Sequence, residues 1–262
     1  MRPFASTIPL EQALSVIEAT VVAISTREEV ALNEADGRVV ARTIVAERDV
    51  PPFHRALMDG YAVRAEDTVG ASPTDPRVLR LVGAQFAGEV GRTTIGPGEC
   101  SAIATGAPLP AGADAVVMVE HTARREEEES IALLSAVSPG QHIGRQGSDL
   151  TSGQVVVQEG TLLNAARLGA LASLGLVSVE VFARPRVFVA STGNELVMPG
   201  QELPPGHIDE INRFTLAPVI RAHGGDVVFG PTARDTVQSV RDTRRAAQVQ
   251  GAQLIVLSGG SS

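Results

Sequence analysis

The sequence contains no lysine and no tryptophan, and only one cysteine and one tyrosine among its 262 residues. Because all 22 basic residues are arginine, no lysine can form a Schiff base or act as the phosphate-reaching lysine of a P-loop. Any phosphate or oxyanion must be held by arginine, backbone N–H groups or hydroxyls. Cys100 alone cannot form an internal disulfide or a cysteine-rich zinc site, and it fits a reducing compartment. We interpret it as a small core residue and not as a nucleophile.

Aromatic residues make up only 3% of the chain, which disfavours stacking platforms for single-stranded nucleic acid. The formal net charge of −8 argues against a surface for nucleic acid or anionic membranes. Residues 1–30 show no signal-peptide pattern, and no apolar run approaches the length of a membrane span. We therefore expect a cytoplasmic protein with no nucleic-acid or membrane partner. A length of 262 residues, with a hydrophobic content of 44%, predicts two or three compact units.

Residues 50–68 concentrate the strongest turn signal and the densest loop chemistry, and they read VPPFHRALMDGYAVRAEDT. Pro51 and Pro52 hold the chain extended at the start of this stretch. Asp59 and Gly60 form a turn pair, because aspartate bonds nearby backbone and glycine accepts a positive φ. Residue types alone predict a tight loop that enters a strand over residues 61–63.

Apolar periodicity predicts the elements on either side of this stretch. A single apolar stripe predicts a helix over about residues 9–24, which packs either on its own domain or in a dimer. A short helix that is broken near Gly37 is predicted over residues 33–40. Short β-branched runs cut by glycine and proline predict a small β-rich domain over about residues 51–137. The acidic block at residues 126–129 is interpreted as a solvated hairpin tip or loop.

The pattern changes after a glycine-rich connector at residues 138–150 and again after residue 186. Apolar strands are predicted over residues 187–190, 227–229 and 254–257, with helices over residues 213–223 and 235–249. Apolar strands that alternate with helices indicate a parallel sheet covered on both faces. A sheet of about three strands with one uncovered edge suggests a domain that is incomplete at Ser262.

Small, hydroxyl-bearing loops follow two of these strands, namely Ser191-Thr192-Gly193 and residues 258–262. Open α/β sheets bind ligands beyond the carboxyl ends of their strands. Because hydroxyls and backbone N–H groups hold oxyanions well, these loops are candidates for binding a phosphate or another oxyanion.

The stretch at residues 50–68 resembles the signature of the molybdopterin molybdenumtransferases, the family that includes the E domain of gephyrin and typically reads PPFDNSAMDGYAVRAxDT. The chain departs from it at His54, Arg55 and Leu57. Further resemblances occur in GECSAIATGAPLPAGADAVV, GRQGSDL, LGALASLG, RPRVFVASTGNEL and LIVLSGGSS. HIDEINRF matches more weakly, with Glu210 standing for an aspartate.

This resemblance implies a multidomain α+β and α/β fold. Residues 1–48 and 138–182 would form a discontinuous, elongated linker and dimerisation domain, and residues 49–137 a small β-rich inserted domain. Residues 183–262 would form part of a doubly wound, molybdopterin-binding α/β domain.

The resemblance also implies the reaction, which is insertion of molybdate into adenylylated molybdopterin with release of AMP, assisted by Mg²⁺. The residues that it places at the site are, as catalytic residues, Asp59, Thr105, Asp149, Glu195 and Asp235; as binding residues, Ser191, Thr192, Gly193, Ser258, Gly259, Gly260 and Ser261; and, as metal ligands, Asp59 and Glu195. Carboxylate oxygens are the ligands that a hard cation takes beside a pyrophosphate.

Taken singly, these residues also suit structural roles. Asp59 and Asp149 are good turn formers, Thr105 could close a turn, Glu195 could open a helix, and Asp235 could be an N-cap. The resemblance further implies a homodimer in which the Asp59 loop faces the Ser191 and Ser258 loops of a second copy, with small-molecule substrates and other molybdenum-cofactor proteins as partners. We expect the printed segment to be catalytically incomplete. The alternative is a non-catalytic dimeric scaffold or a molybdopterin-binding module.

Overall fold

The structure is a computed structural model that describes residues 7–89, 93–125 and 129–259. The helices are α1 (Leu10–Thr20), α2 (Ala165–Ser173), α3 (Asn212–Ala222) and α4 (Val237–Val249). The strands are β1 (Arg27–Ala31), β2 (Ile44–Val45), β3 (Arg55–Ala56), β4 (Gly60–Val63), β5 (Arg77–Gln85), β6 (Glu99–Ile103), β7 (Ala115–Met118), β8 (Thr122–Arg125), β9 (Ser130–Leu133), β10 (Ile143–Gly144), β11 (Val155–Val157), β12 (Ser178–Phe182), β13 (Arg186–Ser191), β14 (Leu196–Val197), β15 (Ile208–Asp209), β16 (Asp226–Phe229) and β17 (Leu254–Ser258).

The chain is a mixed α and β protein that separates into two compact units. The β-rich unit comprises Thr43–Val157 and Gly169–Gly175, and the α/β unit comprises Met1–Arg42, Gln158–Leu168 and Leu176–Ser262. The finer division into three domains, with the bounds given above, stays a prediction.

The β-rich unit is built on a six-stranded sheet in the order β7-β4-β6-β5-β9-β8. All neighbours are antiparallel except β5 and β6. Side chains alternate between two apolar clusters, so that Val63 and Val117 lie in one cluster while Ala62 and Val116 lie in the other. This is the period-two alternation of a strand with both faces covered.

The α/β unit contains a parallel sheet in the order β16-β13-β17, which confirms the predicted parallel arrangement. The central strand β13 is buried from Val187 to Ser191. Phe188 and Ala190 pack against Ala247 of α4, and Thr236 caps this helix by accepting from the N–H of Ser239 at 3.1 Å. The buried centre of the sheet fixes where the loops after β13 and β17 begin.

The helix predicted over residues 33–40 is wrong. Only a 3₁₀ turn forms, over Leu32–Glu34, and the chain then reverses through Gly37, whose φ is +68°. Val39 and Val40 make isolated bridges with Leu162 and Val181 instead. Pairing with distant segments outweighs the local helical pattern here. Most of the acidic block predicted as a hairpin tip, residues 126–128, lies outside the described residues.

Helix α1 is shorter than predicted and presents its apolar stripe to solvent. None of its residues is buried, and Leu14 and Ile17 are 49% and 55% exposed. Among the described residues, none of the side chains of this stripe is buried against the helix's own unit. Within residues 7–89, 93–125 and 129–259, no helix has the length and apolar character needed to cross a membrane.

Cys100 lies in the core of the β-rich unit, as predicted, with an exposed fraction of 0%. Burial raises the pKa of its thiol to about 12. Since the thiolate is the reactive form, we expect a thiol reagent at pH 8 to label the native chain at least ~100-fold more slowly than the chain in denaturant. Rates of 5,5′-dithiobis(2-nitrobenzoate) release with and without urea measure this difference. Rapid labelling of the native chain would contradict the burial of Cys100.

Candidate functional site

Asp59 lies immediately before β4, and Thr105 lies in the loop that follows β6, the antiparallel neighbour of β4. Oδ1 of Asp59 accepts hydrogen bonds from the N–H of Thr105 at 2.7 Å and from its hydroxyl at 3.0 Å. These two hydrogen bonds, the one from the N–H more than the one from the hydroxyl, hold the pKa of Asp59 below its ordinary value. The structure thus brings together two predicted site residues and keeps the exposed carboxylate charged.

Gly60 places Asp59, but not by the positive φ expected from the Asp-Gly pair. Gly60 is absent from the glycines with positive φ and is the first residue of β4, paired with Met118 of β7. A Cβ at Gly60 would lie 2.0 Å from the carbonyl oxygen of Val117. The turn interpretation is wrong for this glycine, because close approach between two strand backbones is what requires it.

A cavity of about 200 Å³ opens beside Asp59. Its wall includes Tyr61, Phe86 and Val119, and Phe86 is 55% exposed. Asp59 is the charged residue of this otherwise apolar lining. The cavity can therefore accept a flat or apolar group next to a single negative charge.

Asp149 lies on a loop between β10 and β11 that is attached to the start of the signature stretch. The N–H of Gly147 donates to the carbonyl of Pro51, and the N–H of Asp149 donates to that of Val50, both at 2.9 Å. The side chain of Asp149 is exposed and accepts from the hydroxyl of Ser148 at 3.1 Å. Asp149 is thus fixed by its backbone while its carboxylate stays accessible.

The segment that precedes Asp59 joins the loops that carry Thr105 and Asp149. Strand β3 pairs with β10 on one side. On its other side, the N–H of Ala56 donates to the carbonyl of Ala107 at 3.0 Å. All three predicted residues of the β-rich unit are therefore held by one short stretch of backbone.

Asp49 is a further carboxylate of this region that the sequence analysis did not single out. It accepts from the N–H of Ser152 at 2.9 Å and from the side-chain amide of Gln146 at 2.8 Å. These two bonds, the Ser152 bond first, lower its pKa. Asp49 clamps both ends of the Asp149 loop, and no local motif could have indicated a contact over about a hundred residues.

In the α/β unit, the loops after β13 and β17 lie side by side. The N–H of Thr192 donates to the carbonyl of Ser258 at 2.7 Å. A Cβ at Gly259 would lie 2.4 Å from the carbonyl oxygen of Thr192, so glycine is needed for this close approach. The structure therefore brings Thr192, Ser258 and Gly259 together, whereas Gly260 and Ser261 lie outside the described residues.

Glu195 and Asp235 lie on neighbouring loops of the same unit. The N–H of Gly193 donates to the carbonyl of Ala233 at 3.0 Å, and the N–H of Asp235 donates to Oδ1 of Asn194 at 3.4 Å. Glu195 precedes the strand β14 and does not open a helix. Asp235 is not the N-cap of α4, because Thr236 is. The structural roles that the sequence suggested for these two acids are therefore wrong.

A cavity of about 620 Å³ lies at these loops. Its lining is mainly polar and comprises Gly193, Asn194, Leu196, Val197, Gln201, Glu202, Pro204, His207, Thr232 and Arg234. Its wall carries one positive charge, on Arg234, and one negative charge, on Glu202, so an anionic group of a ligand would bind at the Arg234 side.

Ser191 belongs to a buried group that we call the Glu210 cluster, formed by Ser191, Glu210, Arg213 and Thr232. Ser191 donates to Oε1 of Glu210 at 2.6 Å, and Nε of Arg213 donates to Oε2 at 2.7 Å. Glu210 is 1% and Arg213 8% exposed. Burial raises the pKa of Glu210, but hydrogen bonds from Ser191 and Arg213 together with the Arg213 charge outweigh it and leave the pKa below its ordinary value.

No local pattern in the sequence identifies the Glu210 cluster as a unit. The signal available was the weak match HIDEINRF, in which Glu210 and Arg213 are three residues apart. That spacing places an acid just before a helix, but it gives no sign of Ser191 or of burial.

The predicted site residues thus fall into two groups. Asp59, Thr105 and Asp149 are held in the β-rich unit, and the residues of the loops after β13, β16 and β17 are held in the α/β unit. No group of three or more His, Cys, Asp or Glu residues that could hold a metal ion occurs in the described part of the chain.

Comparison with known proteins extends the sequence resemblance. The model of the MoeA N-terminal region (domain I and II) matches residues 8–175. Molybdopterin molybdenumtransferase 2 of Mycobacterium tuberculosis is 42% identical over 233 residues, which are 89% of this chain and 57% of that protein. A molybdopterin molybdenumtransferase of Haemophilus influenzae is 34% identical over 255 residues, 97% of this chain and 61% of that protein.

Solved structures show the same relationship. A molybdopterin biosynthesis MoeA protein from Pyrococcus horikoshii aligns with a TM-score of 0.89 and 33% identity, over 97% of this chain and 67% of that one. The chain spans somewhat more than half the length of the curated relatives it matches. The family match covers both the signature stretch and the loop that carries Thr105, and the chain belongs to the MoeA family.

Proposed function

We propose that this chain is the part of a cytoplasmic molybdopterin molybdenumtransferase that carries acidic and anion-binding groups for molybdate insertion. The reaction is transfer of molybdate to adenylylated molybdopterin with release of AMP. The observation that carries the proposal is the exposed Asp59 carboxylate, anchored at one oxygen by Thr105 within the family signature. The names of the relatives, molybdopterin molybdenumtransferases, support the same reaction.

The acidic residues fit a Mg²⁺ that is shared with a substrate. Both Thr105 donors reach Oδ1 of Asp59, and no donor in the described residues contacts Oδ2. Mg²⁺ usually binds through one or two carboxylates, several waters and substrate phosphates, so Asp59 in the β-rich unit, and separately Glu195 in the α/β unit, is proposed as a carboxylate ligand for the ion. The bound ion would neutralise charge on the pyrophosphate as the bond to AMP breaks.

Anion binding would fall to the loops of the α/β unit. Arg234 on the cavity wall supplies a positive charge, and Thr192 and the loop from Ser258 supply hydroxyls and backbone N–H groups. These groups can hold molybdate or phosphate oxygens without a lysine. The proposed role of Asp149 is to carry a second exposed carboxylate beside the signature stretch.

Replacing Asp59 by asparagine is the direct test. Asparagine keeps an oxygen that accepts from Thr105 but removes the charge, so we expect an unfolding midpoint close to that of the wild type. We expect molybdate- and Mg²⁺-dependent AMP release by the full-length protein to fall roughly 100-fold, the effect of losing one charge-stabilising group at an active site. AMP is quantified by chromatography at saturating adenylylated molybdopterin.

Asp75→Asn is the matched control, because Asp75 is an aspartate of the same unit with a side chain that is 70% exposed. Its AMP release should equal that of the wild type. If the wild-type full-length protein binds adenylylated molybdopterin but never releases AMP, the transferase proposal is wrong and the non-catalytic scaffold or binding module is supported.

We also propose that the chain forms a homodimer and that the exposed stripe of α1 contributes to it. Leu14 and Ile17 expose apolar side-chain area on this stripe, and a second copy packed against the stripe would remove that area from water. A Leu14→Glu variant should shift the protein toward monomer at micromolar concentration in sedimentation-velocity experiments. Ser15→Glu, on the same helix, is the control and should leave the oligomeric state unchanged. A Leu14→Glu variant that sediments as the wild type does would exclude this stripe from the interface.

A further inference from the structure

The Glu210 cluster lies behind the cavity of the α/β unit and joins chain segments that form its wall. Ser191 ends β13, Glu210 follows β15, Arg213 is in the first turn of α3, and Thr232 lies in the loop after β16. Thr232 accepts from Nη2 of Arg213 at 3.3 Å and itself lines the cavity. The cluster thus connects the cavity wall to a buried charge pair.

Backbone hydrogen bonds extend this connection to both loops of the cavity. The N–H of Glu210 donates to the carbonyl of Val197 at 2.7 Å, and Val197 also lines the cavity. The N–H of Ala233 donates to the carbonyl of Ser191 at 2.8 Å. Displacement of Glu210 would therefore shift residues 192–197 and residues 232–235.

The burial and the hydrogen bond of Ser191 indicate that its side chain supports the neighbouring loops and does not contact a ligand. Its exposed fraction is 0%, and its single hydroxyl proton is donated to Glu210. A serine in this state has no proton left to donate to an oxyanion. Glu210 itself accepts from the N–H of Arg213 at 3.0 Å at Oε1 and from Nε of Arg213 at 2.7 Å at Oε2, so each of its oxygens accepts a hydrogen bond from within the cluster.

We propose that Glu210 is a positioning residue of the transferase site, which holds the loops 192–195 and 232–235 in fixed relation and so sets the shape of the cavity. This inference rests on the proposed function for its catalytic consequence, but the ordering of the loops can be measured without activity. Glu210 does not touch substrate, because it is buried. It acts through Ser191, Arg213 and Thr232.

Hydrogen exchange of this chain tests the ordering of the loops. Ser191→Ala removes one hydrogen bond of the cluster, and Glu210→Gln removes its negative charge. Thr243→Val removes a buried hydroxyl elsewhere in the unit, where Thr243 donates to the carbonyl of Ser239 within α4. Ser191→Ala keeps the test valid if Glu210→Gln does not fold.

We expect the amides of residues 192–195 and 233–236 to exchange about five- to tenfold faster in Ser191→Ala, the effect of one hydrogen bond. The amides of residues 187–190 in β13 and all amides of the β-rich unit should keep wild-type rates. Thr243→Val should not change exchange in the two loops. Equal exchange in these loops for Ser191→Ala and the wild type, or a uniform increase over the whole unit, would overturn the proposal.

Steady-state kinetics of the full-length protein test the catalytic consequence. For Ser191→Ala and Glu210→Gln, we expect kcat for AMP release to fall at least about tenfold, while Thr243→Val keeps the wild-type value. Faster exchange in the loops with wild-type kcat and KM would overturn the positioning role. An inactive wild type would contradict the proposed function, whereas the exchange result would still decide whether Glu210 orders the loops.

Discussion

Gly60→Ala is expected to lower the free energy of unfolding of the β-rich unit by at least about 3 kcal/mol, at the upper end of overpacking effects. The added Cβ would lie 2.0 Å from the carbonyl oxygen of Val117, about 1 Å closer than a tolerated contact. That oxygen belongs to the backbone of β7, which is paired to β4 through Gly60 and Met118. The two strands must move apart, and Asp59 moves with them. Urea unfolding monitored by circular dichroism measures the change.

Gly169→Ala is the control for this substitution. Gly169 lies in α2, has no heavy atom within 4 Å of an added Cβ, and does not need a positive φ. Alanine should therefore leave the chain as stable as the wild type or more stable by roughly 0.5–1 kcal/mol, because glycine is the poorer helix residue. If Gly60→Ala unfolds at the same urea concentration as Gly169→Ala, the pairing of β4 with β7 in this register is wrong.

Arg213→Met is expected to lower the free energy of unfolding of the α/β unit by about 3–5 kcal/mol, the cost of leaving one member of a buried ion pair without its partner. The substitution removes the guanidinium from Glu210, which stays buried with donors from Ser191 and the backbone of residue 213. The control is Arg241→Met in α4, where the arginine is exposed, and it should change stability by less than about 0.5 kcal/mol.

The same ion pair predicts a dependence on pH. Because the pKa of Glu210 is lowered in the folded chain, the pair contributes stability above about pH 4.3, the pKa of an unfolded glutamate. That contribution is lost as the pH falls through the lower folded pKa. A Glu210→Leu/Arg213→Met double variant should therefore lose less stability than the wild type between pH 5 and pH 3 in urea titrations. An identical loss in both proteins would show that the cluster does not titrate with folding.

Local patterns were sufficient for most of the fold. The apolar runs at residues 187–190 and 254–257 predicted β13 and β17, and their alternation with helices predicted the parallel sheet. At the start of α2, Oδ1 of Asn164 accepts from the N–H of Arg167 at 3.0 Å, and asparagine is a common helix cap. Such features depend on residues close in sequence, so a local pattern of apolar and capping residues predicts them.

Contacts between distant segments explain the structural features that local sequence patterns did not predict. Gly60 matches a turn glycine locally, and only the register with β7 shows that strand packing requires it. The Glu210 cluster likewise depends on Ser191 meeting an acid nineteen residues away. The pair formed by Asp59 and Thr105 was predicted as site residues through family resemblance, but their direct hydrogen bonds over 46 residues were not.

The two ends of the segment 43–157 meet each other. Strand β2 near its start pairs antiparallel with β11 at its end, and the N–H of Ala46 donates to the carbonyl of Gln154 at 2.9 Å. Chain entry and exit are therefore about 5 Å apart, the spacing of paired strands. A host protein would need only to open one surface loop by that distance to receive the segment. The segment carries the signature stretch together with Asp49 and Asp149, so these residues could be moved between proteins as one unit.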